Sequence, residues 1–134
     1  MNPKPLIFVD LDDTLFQTNR KSTPTPLHKI ATIDKFGKPL SYMLPKQQIF
    51  VNWLLASADV IPVTARSVQG LQRVHLPFLH GAICSHGGTI LAADQQVDQE
   101  WLEIQHKAVA ELDELLDELP ALLLDYAKPF GSIR

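Results

Sequence analysis

Hydrophobic positions along the chain change their spacing several times, and each change predicts an element. Residues 6 to 9 (LIFV) form a short continuous apolar run. Such a run fits a strand buried on both faces, as in parallel sheets covered by helices. Residues 17 to 29 (QTNRKSTPTPLHK) are polar with two prolines and predict a loop. ATIDKFGKPLSYML then alternates loosely about Gly37, the pattern of a small hairpin. Pro45 opens a helical pattern in which Ile49, Phe50, Trp53, Leu54 and Ser57 recur at three- and four-residue spacing. DVIPVTARS predicts a second buried strand that breaks into polar residues at Thr64, and a short helix follows over about 68–74. GAICS predicts a third strand, His86-Gly87-Gly88 a tight turn, and TILA a further short strand.

The last pattern is helical over about 99–119. Trp101, Leu102, Ile104, Ala108, Val109, Leu112, Leu115, Leu116 and Leu119 line one face, and Glu and Asp cover the rest. Asp98 suits the N-cap and Pro120 is expected to end the helix. The order of strands and helices predicts an α/β fold with a parallel core sheet. No internal repeat or low-complexity segment interrupts it.

Composition narrows the class. Of 134 residues, 46% are hydrophobic and 20% charged, as in an ordinary globular domain with a sizeable core. The net charge is −3 with no Lys/Arg-rich run, which argues against a nucleic-acid partner. No apolar run approaches the ~20 residues that span a bilayer, so no membrane span is expected. Cys84 is the only cysteine, so no intrachain disulfide can form, and a reducing cytoplasm is the expected location. Within its apolar strand it reads as a small buried hydrophobe.

The candidate chemistry lies at the end of the first predicted strand, where "LIFVDLDDTLF" sets Asp10, Asp12 and Asp13 close together. In open α/β sheets ligands bind beyond the carboxyl ends of strands. Asp12 is two residues after Asp10, so an extended backbone points both side chains to one side. Two such carboxylates can hold a hard cation such as Mg²⁺. They can also divide the work of nucleophile and general acid/base. The alternatives are a solvated turn, or a calcium loop. The latter needs an acid or Asn at Thr14 and Gly at Leu15, and both requirements fail.

"FVDLDDTLF" resembles the first motif of the haloacid dehalogenase-like (HAD) phosphatases, an apolar strand followed by Asp-x-Asp-x-Thr. Asp10, Asp12 and Thr14 fall on it without a gap. "VIPVTARS" is similar to the second motif, with Thr64 at its strand end, and its Thr-x-Arg form resembles the Cof-type and sucrose-phosphatase-like branch. "GAICSHGGTIL" is similar to the strand and glycine turn that precede the inserted cap in that branch. The resemblance implies a Rossmann-like three-layer core over residues 1–92, and the start of an α/β cap over 93–134. It implies a Mg²⁺-dependent phosphomonoester hydrolase acting on a small phosphorylated metabolite, with a sugar phosphate as the expected class. In that reading Asp10 is the nucleophile and forms a phosphoaspartyl intermediate, and Asp12 is the general acid/base. Asp10 and the Asp12 backbone carbonyl hold Mg²⁺. Thr64 binds phosphate, with Arg66 beside it as a candidate substrate contact or ion-pair partner. Asp13 stands where the family often has glycine, and is expected to play a structural or supporting part.

The family's later motifs, a Lys and a Gly-Asp pair with a further Asp, are not found in these residues. Lys107 and Lys128 lack the context of the former, and Asp113, Asp117 and Asp125 lack the glycine turn of the latter. The expectation is therefore the N-terminal part of a longer phosphatase. The first strand is then an open edge, and self-association is expected to cover it. The competing expectation is a catalytically idle HAD-like fragment that binds metal or phosphate or serves in assembly. His28, His75, His80 and His106 read as surface or loop residues, with His86 as the outside candidate for substrate contact.

Overall fold

A computed structural model describes residues 2–131. The elements in chain order are β1 (Leu6–Val9), β2 (Gln17–Thr18), β3 (Lys29–Ile33), β4 (Pro39–Met43), α1 (Pro45–Ser57), β5 (Asp59–Pro62), α2 (Val68–Leu71), β6 (Ala82–Cys84), β7 (Thr89–Leu91), α3 (Gln99–Ala110) and α4 (Asp113–Ala127). The protein is a mixed α/β structure with a small parallel sheet and helices, and it divides into two units, residues 1–98 and 99–134.

In the first unit β1 pairs in parallel with β5, Leu6 opposite Asp59 through Val9 opposite Pro62. Just past β5, Val63 bridges in parallel to Ile83 of β6, and β6 turns back antiparallel into β7. The β6–β7 turn holds Ser85, His86 and Gly87 at positive φ. Residues 93–98 stay with this unit because Ala92 receives no end to the hairpin: its N–H donates to Gln96 O at 2.9 Å, Leu91 bridges Val97, and Asp98 N–H donates to Ile90 O at 2.9 Å. The division into two units therefore falls at 98/99.

The expected hairpin forms between β3 and β4, with Gly37 at φ 78°. Asp34 organises its turn: Oδ1 accepts the N–H of Phe36 at 2.8 Å and of Lys38 at 2.9 Å. Such side-chain-to-backbone bonds are what Asp contributes to a turn. The expected loop over 17–29 is only partly a loop. Gln17 and Thr18 pair with Tyr42 and Ser41, making a three-stranded antiparallel sheet in the order β2-β4-β3. Two residues carry too little periodicity to announce a strand, and the pairing partner is what defines it.

Helix α1 starts as expected at Pro45, where the Leu44 N–H donates to Gln47 Oε1 at 2.9 Å. Its buried face is not the expected stripe. Val51, Leu54 and Ala58 are buried and Leu55 packs against them, a set at i, i+3, i+4 and i+7. Ile49, Phe50 and Trp53 face out, with Ile49 72% exposed and Trp53 59% exposed. Both faces of α1 are apolar, so periodicity alone does not choose between them. The sheet chooses: Val60, Ile7 and Val9 meet the Val51 side. For the same reason β1 is not buried on both faces. Ile7 and Val9 pack on the core, whereas Leu6 and Phe8 are more than half exposed, and β5 is the sole strand neighbour of β1 among the described residues. The edge position expected for β1 is the one observed.

The second unit holds α3 and α4, in neither of which is a residue buried. The single helix expected over 99–119 is broken at Glu111–Leu112, where the Leu112 N–H bonds back to Val109 O at 2.9 Å, and Pro120 lies inside α4 rather than ending a helix. Asp113 and Glu114 in the first turn of α4 complement the positive end of its dipole, which favours a fresh start there. No helix of the described residues is long and apolar enough to cross a membrane.

Two outcomes check this packing. In denaturant unfolding, Leu54→Ala should cost about 2–5 kcal/mol, whereas Ile49→Ala should stay within about 0.5 kcal/mol; equal costs would put the wrong face of α1 in the core. The Asp34 carboxyl is held below its ordinary value of 3.8, chiefly by the backbone N–H of Lys38; burial opposes this, and the backbone N–H of Phe36 adds to the lowering. A depressed carboxyl contributes stability above its unfolded value and loses it as pH falls through the folded one. Acidification should therefore shift the Phe36 and Lys38 amide resonances and open the hairpin turn, and Asp34→Asn should remove that pH dependence.

Candidate functional site

The site is built where β1 and β5 end side by side. The Val63 N–H donates to Val9 O at 2.8 Å, so Asp10, next after Val9, and Thr64, next after Val63, leave neighbouring strands at the same rim. Beyond β1 the chain folds into one tight turn, with Leu15 N–H on Leu11 O at 2.9 Å and Asp13 N–H on Phe16 O at 2.8 Å. Leu11, Leu15 and Phe16 are buried at 0%, 1% and 0% exposure. These three apolar anchors hold the turn down, and the polar residues between them are left at the surface. The apolar spacing of "DLDDTLF" thus does structural work that keeps four polar side chains at the rim.

Asp13 adopts φ 65°, the left-handed region. Asp enters it more readily than most residues, and glycine most readily of all. That geometry accounts for Asp13 as a backbone position. Its carboxylate meets Lys21 at 2.6 Å, a pair more than half exposed on both sides and worth ~1 kcal/mol at most. Sequence reasoning missed Lys21, which stands in a polar loop with no periodicity to mark it.

The two site carboxylates have separate partners. Thr14 Oγ1 donates to Asp10 Oδ2 at 2.8 Å, which leaves Asp10 Oδ1 facing outward from that bond. Asp12 is gripped by Arg66: Nε donates to Oδ2 and Nη2 to Oδ1, both at 2.7 Å. Arg66 Nη1 donates to Gly70 O at 3.2 Å, and its guanidinium carbon lies 5.7 Å from the centre of the Phe16 ring. Arg66 is 17% exposed and Asp12 44%. This two-point fork is the strongest geometry an arginine makes with a carboxylate, yet the open side of Asp12 keeps its net worth near that of a surface pair, about 1 kcal/mol.

Thr64 is 4% exposed. Its hydroxyl oxygen accepts the Arg66 N–H at 3.1 Å, so its proton remains to be donated elsewhere. The β6–β7 turn borders the same rim, with His86 N–H on Thr64 O at 3.2 Å and Ser85 N–H on Arg66 O at 2.8 Å. The His86 side chain is exposed there.

All four expected site residues therefore lie at one strand-end rim, in two separate hydrogen-bonded groups. Asp10 is tied to Thr14, and Asp12 to Arg66, whose own backbone is tied to Thr64. Arg66 contacts Asp12 and not an open anion cradle, and phosphate binding by its side chain requires the fork to leave Asp12. Asp10 keeps Oδ1 outside the Thr14 bond, and the Asp12 backbone carbonyl is the second oxygen that the resemblance implies for a cation. Hard oxygen donors suit Mg²⁺, which commonly takes one or two protein ligands and keeps its waters. Among the described residues no group of three or more His, Cys, Asp and Glu side chains gathers as a metal site. Lys128 pairs with Asp125 at 2.7 Å in the second unit. Cys84 is fully buried, and burial pushes its thiol up, so it stays a protonated, unreactive hydrophobe.

The left-handed turn generates a direct test. Asp13→Gly should leave stability within about 0.5 kcal/mol, while Asp13→Val, which trades the same carboxylate for a β-branched side chain, should cost about 1–2 kcal/mol. Equal effects in chemical denaturation would mean that the carboxylate, not the backbone, matters there.

Comparison with protein-family models and with curated proteins found no match to this chain.

Proposed function

We propose that this protein is a Mg²⁺-dependent phosphomonoester hydrolase of the HAD type, with a Rossmann-like core, working through a phosphoaspartyl intermediate. The single observation that carries the reading is the convergence of Asp10, Asp12 and Thr64 on the rim formed by the Val9–Val63 pairing. The resemblance of both motifs to that superfamily supplies the reaction. Its substrate is a small phosphorylated metabolite, and the choice of a sugar phosphate rests on the resemblance alone.

The Asp10 carboxylate attacks phosphorus, the bond from phosphorus to the leaving oxygen breaks, and Asp12 delivers a proton to the departing alkoxide. Water then attacks the phosphoaspartyl phosphorus and gives its proton to Asp12; inorganic phosphate leaves and Asp10 is restored. Thr64 donates its hydroxyl to a phosphoryl oxygen, a neutral donor aimed at growing negative charge. Asp10 and the Asp12 carbonyl would hold Mg²⁺, which neutralises the repulsion between an anionic nucleophile and an anionic ester.

One observation favours a second reading, a protein that binds metal or phosphate without turnover. Both Asp12 oxygens are engaged by Arg66 at 2.7 Å, and an acid so gripped cannot present a proton until the fork opens.

Turnover of a generic phosphomonoester with and without Mg²⁺ separates the two. The hydrolase reading expects metal-dependent release of phosphate, reduced at least about 10³-fold by Asp10→Asn and roughly 10–100-fold by Thr64→Ala. Binding of inorganic phosphate in calorimetry with no turnover supports the second reading. Hydrolysis undiminished in Asp10→Asn would sink the first.

A further inference from the structure

The second unit carries an apolar face that the proposed chemistry does not use. From the break just before α4, along the helix and into the turn after it, Leu112, Leu116, Leu119, Leu123, Tyr126 and Phe130 recur at alternating spacings of four and three residues. That is the seam of a helix that packs lengthwise on other helices. These side chains are between 41% and 78% exposed, and Leu115 and Leu122, at 55% and 59%, widen the same face. The Tyr126 and Phe130 rings lie 5.9 Å apart at its end.

Three features identify what covers it. The first is area. Half-exposed leucines at roughly 90 Å² each and two aromatic rings at about 150 Å² each offer on the order of 800 Å², about what one partner buries in a standard protein interface. The second is the position of charge. In the heptad defined by the seam, Glu114, Asp117, Glu118 and Asp125 fall on the outer positions, and only Asp113 borders the seam. A twofold pairing with an identical face therefore brings almost no like charge together. The third is the sign of that charge. Helices that lie on membranes carry Lys and Arg on the polar face, whereas the polar face of α4 is acidic, which disfavours a lipid surface.

We propose that this face is a homodimer interface, in which α4 packs along α4 of a second copy about a twofold axis. The inference goes beyond the proposed activity and does not depend on it. It also differs from association through the β1 edge, because it places the contact in the second unit.

Sedimentation equilibrium of the full chain over about 1–100 μM, the range for an interface of this size, tests it. A monomer–dimer equilibrium is expected. The double variant Leu116→Glu/Leu123→Glu should weaken it by about 100-fold or more, and Leu116→Ala/Leu123→Ala, which keeps helix propensity, by about 10-fold. Phe8→Glu on the β1 edge and Asp117→Lys on the outer face of α4 should leave it unchanged. A monomer at every concentration overturns the proposal. So does a dimer that survives both double variants, a dimer lost on Phe8→Glu, or a monomeric wild type that sediments with phosphatidylcholine vesicles.

Discussion

Parallel pairing of β1 with β5 is the constraint on which the candidate site depends. Asp12 and Arg66 are 54 positions apart, and nothing local brings them together. The intervening chain makes a three-stranded sheet and α1 before it returns alongside β1, and the Val63 N–H then closes on Val9 O. Once that bond is made, the strand ends share a rim, and the Arg66 fork has only to span from one loop to the next. The ion pair follows from the pairing rather than causing it, since a half-exposed pair is worth too little to hold two strands in register. Burial of Val60, Ile7 and Val9 against Val51 and Leu54 supplies the register instead.

The same rim shows how one stretch serves two purposes. In "DLDDTLF" the leucines and Phe16 hold the turn in the core, and that leaves the acids unable to withdraw from one another. Each is then given a separate partner: Thr14 for Asp10, Arg66 for Asp12, Lys21 for Asp13. Three carboxylates within four positions are tolerated because three different donors answer them. Two of those donors have a consequence for chemistry. Thr14 leaves one oxygen of Asp10 outward, whereas Arg66 occupies both oxygens of Asp12, so the two acids are differently prepared although they stand two residues apart.

Apolar surface is distributed unevenly. One side of the β1–β5 sheet is covered by α1, while Leu6 and Phe8 on its other side, Ile49 and Trp53 on the outer side of α1, and the whole seam of α4 face outward. A parallel sheet with an open apolar face is uncommon. In a chain of this size such surfaces are where association is to be sought, and of these the α4 seam alone combines length, regular spacing and displaced charge.

Much was legible in the residues alone. The α/β order, the Gly37 hairpin, the start of α1 at Pro45, the strand end at Thr64 and the turn at Gly87 follow from local rules, because turn chemistry, proline geometry and short apolar runs act within a few residues. The grouping of Asp10 with Asp12 is local as well. Other features needed a partner distant in sequence. β2 is a strand only because β4 lies beside it. The inner face of α1 is not legible locally, because both faces are apolar and the sheet does the choosing. The stop expected at Pro120 fell instead at Leu112, where acids favour a new helix start. Arg66 is expected as a substrate contact or an ion-pair partner; it forms an ion pair, and its choice of Asp12 is set by a pairing that no local pattern encodes. The sequence by itself determined which side chains are available for chemistry and which segments are strands or helices, since those depend on neighbours along the chain. Only the tertiary structure decided which faces are buried and which charges meet, because those depend on neighbours across space.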